Sequence, residues 1–89
     1  MNFEASWELR IDPRVHKELS KLPKNYAEKI LAVIEFLTLD PYAGDIEKIK
    51  GEENIWRRRV GSYRIIYEVF VEHKLIWVLD VKRRASNTY

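Results

Sequence analysis

The chain has 89 residues and a mass of 10.7 kDa, which allows one domain built around one compact core. It contains no cysteine, so disulfides, a thiolate nucleophile and a cysteine-based zinc site are excluded, and a reducing cytoplasm is the expected location. The N-terminus lacks a signal-peptide pattern, no apolar run could span a membrane, and the net charge of only +2 makes the placement of charges more informative than their sum.

The first half of the sequence predicts a strand followed by two helices. Apolar and polar residues alternate over 3–11, which is the pattern of a half-buried strand. Asp12 is the expected N-cap of a first helix that ends near Leu22. A second helix is predicted over 24–39, and the Asp-Pro pair at 40–41 ends it. The two helices are expected to form a hairpin.

The second half predicts a loop and three strands. Residues 42–54 contain two glycines and mixed charges, so they are expected to form a long surface loop with at most one short turn of structure. Strands are predicted over 55–60, 63–70 and 74–81, joined by two-residue connections. The predicted architecture is therefore β-α-α-β-β-β, an α+β fold. A small, antiparallel-rich sheet carries a two-helix hairpin on one face, and residues 1–89 form a single domain.

The short turn at 61–62 predicts where three arginines point. A two-residue hairpin loop places Arg59 opposite Arg64 and Arg57 opposite Ile66. Residues that are directly opposite each other share a face of the sheet, so the three guanidinium groups are expected on one face.

That face is expected to be the open one. The apolar residues of the strand 63–70 alternate and must face the helices, which leaves the arginines on the other side. No acid lies between residues 54 and 67, so we expect the opposed arginines to take a counter-ion from outside the protein, and phosphates suit guanidinium groups. Ordinary surface arginines paired with distant acids such as Glu68 are the alternative. By the same parity Arg58 points towards the helices and is interpreted as structural.

The hairpin sequence resembles that of a known family. Residues 56–69, WRRRVGSYRIIYEV, resemble the signature hairpin of the RelE/ParE toxin superfamily, with an aromatic residue, alternating basic residues, Val-Gly, Tyr-Arg and a hydrophobic run ending in Tyr. The resemblance extends to the strand-helix-helix start, to Lys-Leu-Pro at 21–23, to Lys-Ile-Lys-Gly at 48–51 and to the basic end of the last strand. One departure is Arg58, where an apolar residue is usual, and it concerns the packing beneath the hairpin.

The resemblance implies a set of functional residues. Arg57 and Arg59 match residues that contact the scissile region of a message, and Arg64 matches the arginine that steadies the reacting phosphate. A C-terminal catalytic arginine matches Arg84 or the adjacent Arg83, and a nucleotide-stacking tyrosine follows it. The implied catalytic residues are Arg59, Arg64, Arg84 and Tyr89, and the implied RNA-binding residues are Arg57, Lys48, Lys50 and Arg83.

The implied function is that of a type II toxin, a ribosome-dependent endoribonuclease that cuts messenger RNA in the A site of the 30S subunit and inhibits translation. Its expected partners are a RelB-type antitoxin, the ribosome and mRNA, with no membrane and no cofactor. Two alternatives stay open: a ParE-like toxin that poisons a topoisomerase, and a non-catalytic RNA-binding module.

The sequence leaves the proton-transfer groups of such a reaction unidentified. A guanidinium with a pKa above about 12 is a poor general acid or base near neutral pH. The two histidines, His16 and His73, are interpreted as ordinary surface residues, and no set of residues has the spacing of metal ligands.

Overall fold

The computed structural model describes residues 7–83 of the chain. Within this part, five strands form one sheet in the order β1-β5-β4-β3-β2, and neighbouring strands are antiparallel except for the parallel pair β1 and β5. The elements in chain order are β1 (Glu8–Ile11), α1 (Pro13–Ser20), α2 (Lys24–Phe36), β2 (Ile46–Lys48), β3 (Ile55–Val60), β4 (Tyr63–Phe70), a short 3-10 helix (Val71–His73) and β5 (Leu75–Arg83).

The α+β fold class is confirmed, but the predicted strand count is wrong. Residues 46–48, expected within a surface loop, form β2 and pair antiparallel with β3 at the edge of the sheet. Three residues carry no recognisable strand periodicity of their own. Their conformation depends on the hydrogen-bonding groups that β3 offers along its free edge. The extra strand determines which side chains lie beside β3.

Local sequence signals begin and end the helices. The carboxylate of Asp12 caps α1 by accepting a hydrogen bond from the backbone N–H of Arg14 at 2.9 Å, as the sequence predicts. α2 ends at Phe36, three residues before the expected end at Leu39. The chain there turns, and the hydroxyl of Thr38 donates to the carbonyl of Glu35 at 2.7 Å. No helix within residues 7–83 is long and apolar enough to cross a membrane.

The core lies between the two helices and one face of the sheet. Alternate residues of β4 are buried there, and Tyr67 is fully buried with its hydroxyl donating to the carbonyl of Pro41 at 2.5 Å. Burial raises the pKa of the Tyr67 phenol. Tyr26, in the first turn of α2, is 45% exposed, with the centre of its ring 5.9 Å from that of Tyr63. The buried residues are Val15, Leu19, Ile30, Ile34, Leu37, Tyr63, Ile65, Tyr67, Val69, Ile76, Val78 and Val81.

Candidate functional site

The open face of the sheet carries the arginines that the sequence grouped together. In the β3–β4 pairing, Arg59 lies opposite Arg64 and Arg57 lies opposite Ile66, so the predicted register is confirmed. These three arginines, called the arginine face below, project away from the helices because the alternate residues of β4 fill the core. Their side chains line one small cavity together with Asp45 and Glu47.

The two carboxylates in this cavity were not expected from the sequence. Glu47 lies opposite Arg57 in the β2–β3 pairing, and its Oε1 accepts hydrogen bonds from Nε of Arg57 at 3.3 Å and from Nη2 at 2.8 Å. Asp45 places its Oδ2 3.7 Å from Nε of Arg59, and its carbonyl accepts from the backbone N–H of Arg59 at 2.9 Å. The expectation that the opposed arginines lack a nearby acid is therefore wrong, because β2 brings acids from an earlier part of the chain.

The carboxylate of Glu47 is held in its ionised form. The hydrogen bond from Arg57 and the charge of that guanidinium lower the pKa of Glu47, and the charges of Arg59 and Arg64 lower it further. Glu47 is 60% exposed and Arg57 is 34% exposed, so their ion pair is screened by water. An exposed pair of this kind exchanges partners readily.

Arg64 differs from the other two arginines in its surroundings. Within the described residues it takes part in no ion pair, and its neighbours on the two adjacent strands are the cations Arg59 and Lys82. Lys82 reaches this position because a bulge in the β4–β5 pairing, between Ile66 and Tyr67, shifts the register of β5. The sequence shows no bulge signal here, so Lys82 was not predicted as part of the site.

The structure does not bring the other expected basic residues to the arginine face. Arg83 lies opposite Tyr63 on the helix side of the sheet, where it lines a separate cleft at the junction of α1 and α2. Lys48 also lies on the helix side, with its Nζ 6.0 Å from the centre of the Trp56 ring. Lys50 lines a third cavity in the turn after β2. The proposed catalytic Arg84 and Tyr89 lie outside the described residues.

The structure supports the exclusion of Arg58 from the site. Arg58 lies opposite Ile65 on the helix side of the sheet, and its Nε is buried with no hydrogen-bond partner among the described residues. Its guanidinium lies against Gly44, where a Cβ atom would be 2.4 Å from Nη1. Glu68 is also on the open face, but Arg57 and Arg59 pair with Glu47 and Asp45 instead of with Glu68.

This arrangement can bind anions. Guanidinium groups form charge-assisted hydrogen bonds with carboxylates and phosphates in the same way, and here three of them share one small cavity. Within residues 7–83, no group of three or more histidines or carboxylates is arranged to hold a metal ion. His16 and His73 are both exposed and do not line the cavity of the arginine face.

Comparisons with known proteins agree on one family. A family model for the ParE toxin of the type II toxin-antitoxin system parDE matches residues 9–88. The chain is 31% identical to the RelE1 protein of Methanocaldococcus jannaschii over 81 residues, which is 88% of this chain and 90% of that protein.

Solved structures show the same fold. In the RelE-RelB complex from Pyrococcus horikoshii, a chain with 30% identity matches with a TM-score of 0.81, over 92% of this chain and 99% of that one. In the RelB-RelE antitoxin-toxin complex from Methanococcus jannaschii, a chain with 29% identity matches with a TM-score of 0.70, over 83% and 88% respectively.

Proposed function

The chain belongs to the RelE/ParE family of toxins of type II toxin-antitoxin systems, and from this premise we propose that it is a ribosome-dependent endoribonuclease. It cuts messenger RNA in the A site of the 30S subunit, inhibits translation and acts in the cytoplasm. The observation that carries the proposal is the arginine face, in which Arg64 forms no ion pair within the described residues and lies between Arg59 and Lys82.

The chemistry proposed is attack of a ribose 2′-hydroxyl on the adjacent phosphate. A 2′,3′-cyclic phosphate forms, the bond to the 5′-oxygen of the next nucleotide breaks, and a proton passes from the attacking hydroxyl to that leaving oxygen. The phosphorane that forms carries extra negative charge, which preorganised guanidinium groups stabilise. We assign this role to Arg59 and Arg64, with Arg57 binding the flanking phosphate. Arg84 and Tyr89 complete the proposed site from outside the described residues, Arg84 on the phosphate and Tyr89 against a base.

Proton transfer is the step for which this set of residues is least suited. Arginines are poor general bases, and the pKa of Glu47, the carboxylate hydrogen-bonded to Arg57, is lowered. A weak base can still act if the reacting groups are held in line, because orientation alone supplies a large part of many rate enhancements. The ribosome would provide that orientation by holding the message in the A site.

A RelB-type antitoxin is the proposed regulator. The matched RelE structures from Pyrococcus horikoshii and Methanococcus jannaschii are complexes with RelB, and they share 30% and 29% identity with this chain. An antitoxin segment with acidic side chains near the arginine face, or one added to an edge of the sheet, would block RNA binding.

The test is to add the purified protein to a translating extract and to map the message by primer extension. We expect new 5′ ends at codons in the A site. Arg64→Ala should reduce cutting by about 100-fold or more, because it removes a charge that stabilises the transition state. Arg84→Ala should have a similar effect. The matched control is Lys29→Ala on the exposed side of α2, which should cut normally. Uncut message with correctly folded protein would refute the proposal.

The family match supports one second candidate. Because the matching family model is that of ParE toxins, a protein that poisons a topoisomerase remains the alternative. The same preparation is therefore assayed with DNA gyrase and supercoiled plasmid. Gyrase-dependent breaks with uncut message would favour the ParE activity, and the absence of both effects would favour a non-catalytic RNA-binding module.

A further inference from the structure

The acid pair, Asp45 and Glu47, occupies two of the three guanidinium groups that would bind RNA. We infer that these acids are specificity-determining residues which act as a built-in competitor for RNA phosphates. They favour RNA whose phosphates are already held in place over free RNA. This inference rests on the proposed function, since it concerns the same RNA site. It goes beyond that function by assigning a role to residues that the proposed reaction does not require.

The first step is that the acids and a phosphate would use the same donors. Glu47 accepts from both Nε and Nη2 of Arg57, the edge of the guanidinium that best fits an oxyanion. Asp45 lies nearest to Nε of Arg59. A phosphate oxygen can take the position of Glu47 on Arg57 only after that carboxylate has moved away. At Arg59 the phosphate competes with the charge of Asp45, which lies 3.7 Å from Nε without a hydrogen bond to it. Arg64 has no such competitor among the described residues, so it is the first site that a phosphate can enter.

The second step is that the competitor is tethered. Glu47 is on β2, directly opposite Arg57, and Asp45 is joined to Arg59 by a backbone hydrogen bond of 2.9 Å. A tethered group has an effective concentration of millimolar or more, which a dilute free ligand must exceed. A free oligonucleotide must also lose the freedom of its backbone. RNA that is already held in place, as a message is in the ribosome, has less freedom to lose and displaces the acids more easily.

The third step is that the segment before β2 is anchored to the core side of the sheet. The carbonyl of Pro41 accepts the hydroxyl of the buried Tyr67, and the guanidinium of Arg58 packs against Gly44. The φ of Gly44 is +89°, a conformation that favours glycine. These contacts fix the backbone directly before Asp45. The acid side chains themselves are exposed, at 65% for Asp45 and 60% for Glu47, so they are free to rotate away.

The experiment measures binding of the full-length protein to an uncleavable RNA. The probe is a single-stranded RNA of about 12 nucleotides with 2′-O-methyl riboses and a fluorescent end, followed by anisotropy at several salt concentrations. The variants are Asp45→Asn, Glu47→Gln and the double variant. The matched control, Glu28→Gln with Glu72→Gln, removes the same amount of charge from α2 and from the 3-10 helix after β4. Binding is measured instead of cutting, so a role of Glu47 in proton transfer does not affect the result.

We expect the double variant to bind the probe about tenfold more tightly than the natural protein, since each exposed ion pair is worth a few-fold. The slope of log K against log salt should also become steeper, because the freed carboxylates of the natural protein attract cations when RNA displaces them, and the neutral amides do not. The control should change affinity less than about twofold. Equal tightening in the control, or weaker binding in the double variant, would overturn the inference.

A second measurement does not depend on any variant. The carboxyl group of Glu47 can be titrated by NMR with and without the probe. If a phosphate takes Arg57, the pKa of Glu47 should rise towards its usual value when RNA is bound. A pKa that stays low in the complex would show that Glu47 keeps Arg57, and the inference would fail.

The outcomes separate this inference from the proposed function. If the protein leaves messages uncut but the double variant binds the probe more tightly, the competing role of the acids is supported and the proposed nuclease activity is refuted. If the protein cuts messages in the A site but the double variant binds the probe no more tightly, the nuclease activity is supported and the competing role of the acids is refuted.

Discussion

The two faces of the β3–β4 hairpin use the same residue types for different purposes. On the helix side, Arg58 is packed against Gly44 with a buried Nε, beside the fully buried Ile65. On the open side, Arg57 and Arg59 pair with exposed acids, and Arg64 has no ion-pair partner among the described residues. The position along the strand, and not the type of residue, decides whether a guanidinium holds the structure together or remains available to a ligand.

The largest expected effect compares two adjacent residues of β4. Ile65→Ala should lower the free energy of unfolding by about 2–5 kcal/mol, because it opens a cavity in the core. Arg64→Ala, one residue earlier on the open face, should change stability by less than about 1 kcal/mol. Urea unfolding followed by circular dichroism measures both. Similar losses in the two variants would show that the faces do not differ as described.

A smaller effect is expected at Gly44, in the loop before β2, where Arg58 from the helix side of the sheet packs against the backbone. Gly44→Ala should cost about 2 kcal/mol, because alanine is strained at a φ of +89° and its Cβ would displace the guanidinium of Arg58. Gly51→Ala is the matched control, since its φ is +85° and no atom lies within 4 Å of the added Cβ. The control isolates the backbone strain, at about 1 kcal/mol. An equal loss of stability in both variants would show that the contact with Arg58 contributes nothing to the cost at Gly44.

The hydrogen bond from the hydroxyl of Tyr67 to the carbonyl of Pro41 anchors the same loop, and removing the hydroxyl tests it. Tyr67→Phe should cost about 1 kcal/mol, because the carbonyl of Pro41 loses its buried hydrogen-bond donor. Tyr26→Phe, at a site that is 45% exposed, should be nearly neutral. Thermal unfolding monitored by circular dichroism distinguishes the two. An unchanged melting temperature for Tyr67→Phe would mean that water replaces the hydroxyl.

The smallest expected effect concerns pH on the open face. The pKa of Glu47 is lowered from 4.5 in the folded protein by Arg57, so its pairing stabilises the fold above pH 4.5, and that contribution is lost as the pH falls through the folded pKa. The stability difference between the natural protein and Glu47→Gln should therefore be largest near neutral pH and shrink under acid. Urea unfolding across this range measures it. A difference that grew on acidification would contradict the assigned pair.

Several parts of the site could be predicted because they depend on local rules. A two-residue turn fixes the register of a hairpin, and this correctly placed Arg59 opposite Arg64 and Arg58 on the helix side. The cap at Asp12 and the helices that follow were likewise determined by signals a few residues long.

Other parts could not be predicted because their causes are distant in the sequence. The pairing of Glu47 with Arg57 spans ten residues and depends on a strand that forms against the edge of β3. The entry of Lys82 to the arginine face depends on a bulge in β5, which reversed the parity expected for a regular strand.

The sequence by itself determined the fold class, the family resemblance and the face on which the three arginines lie, because periodicity and turn length are properties of short segments. Only the tertiary structure decided which of these arginines already has a partner. Ion pairs between strands depend on the register of an edge strand, and β2, with three residues, is too short for its own pattern to specify that register. The open face therefore carries two arginines that pair with acids and one guanidinium, Arg64, that has no ion-pair partner among the described residues.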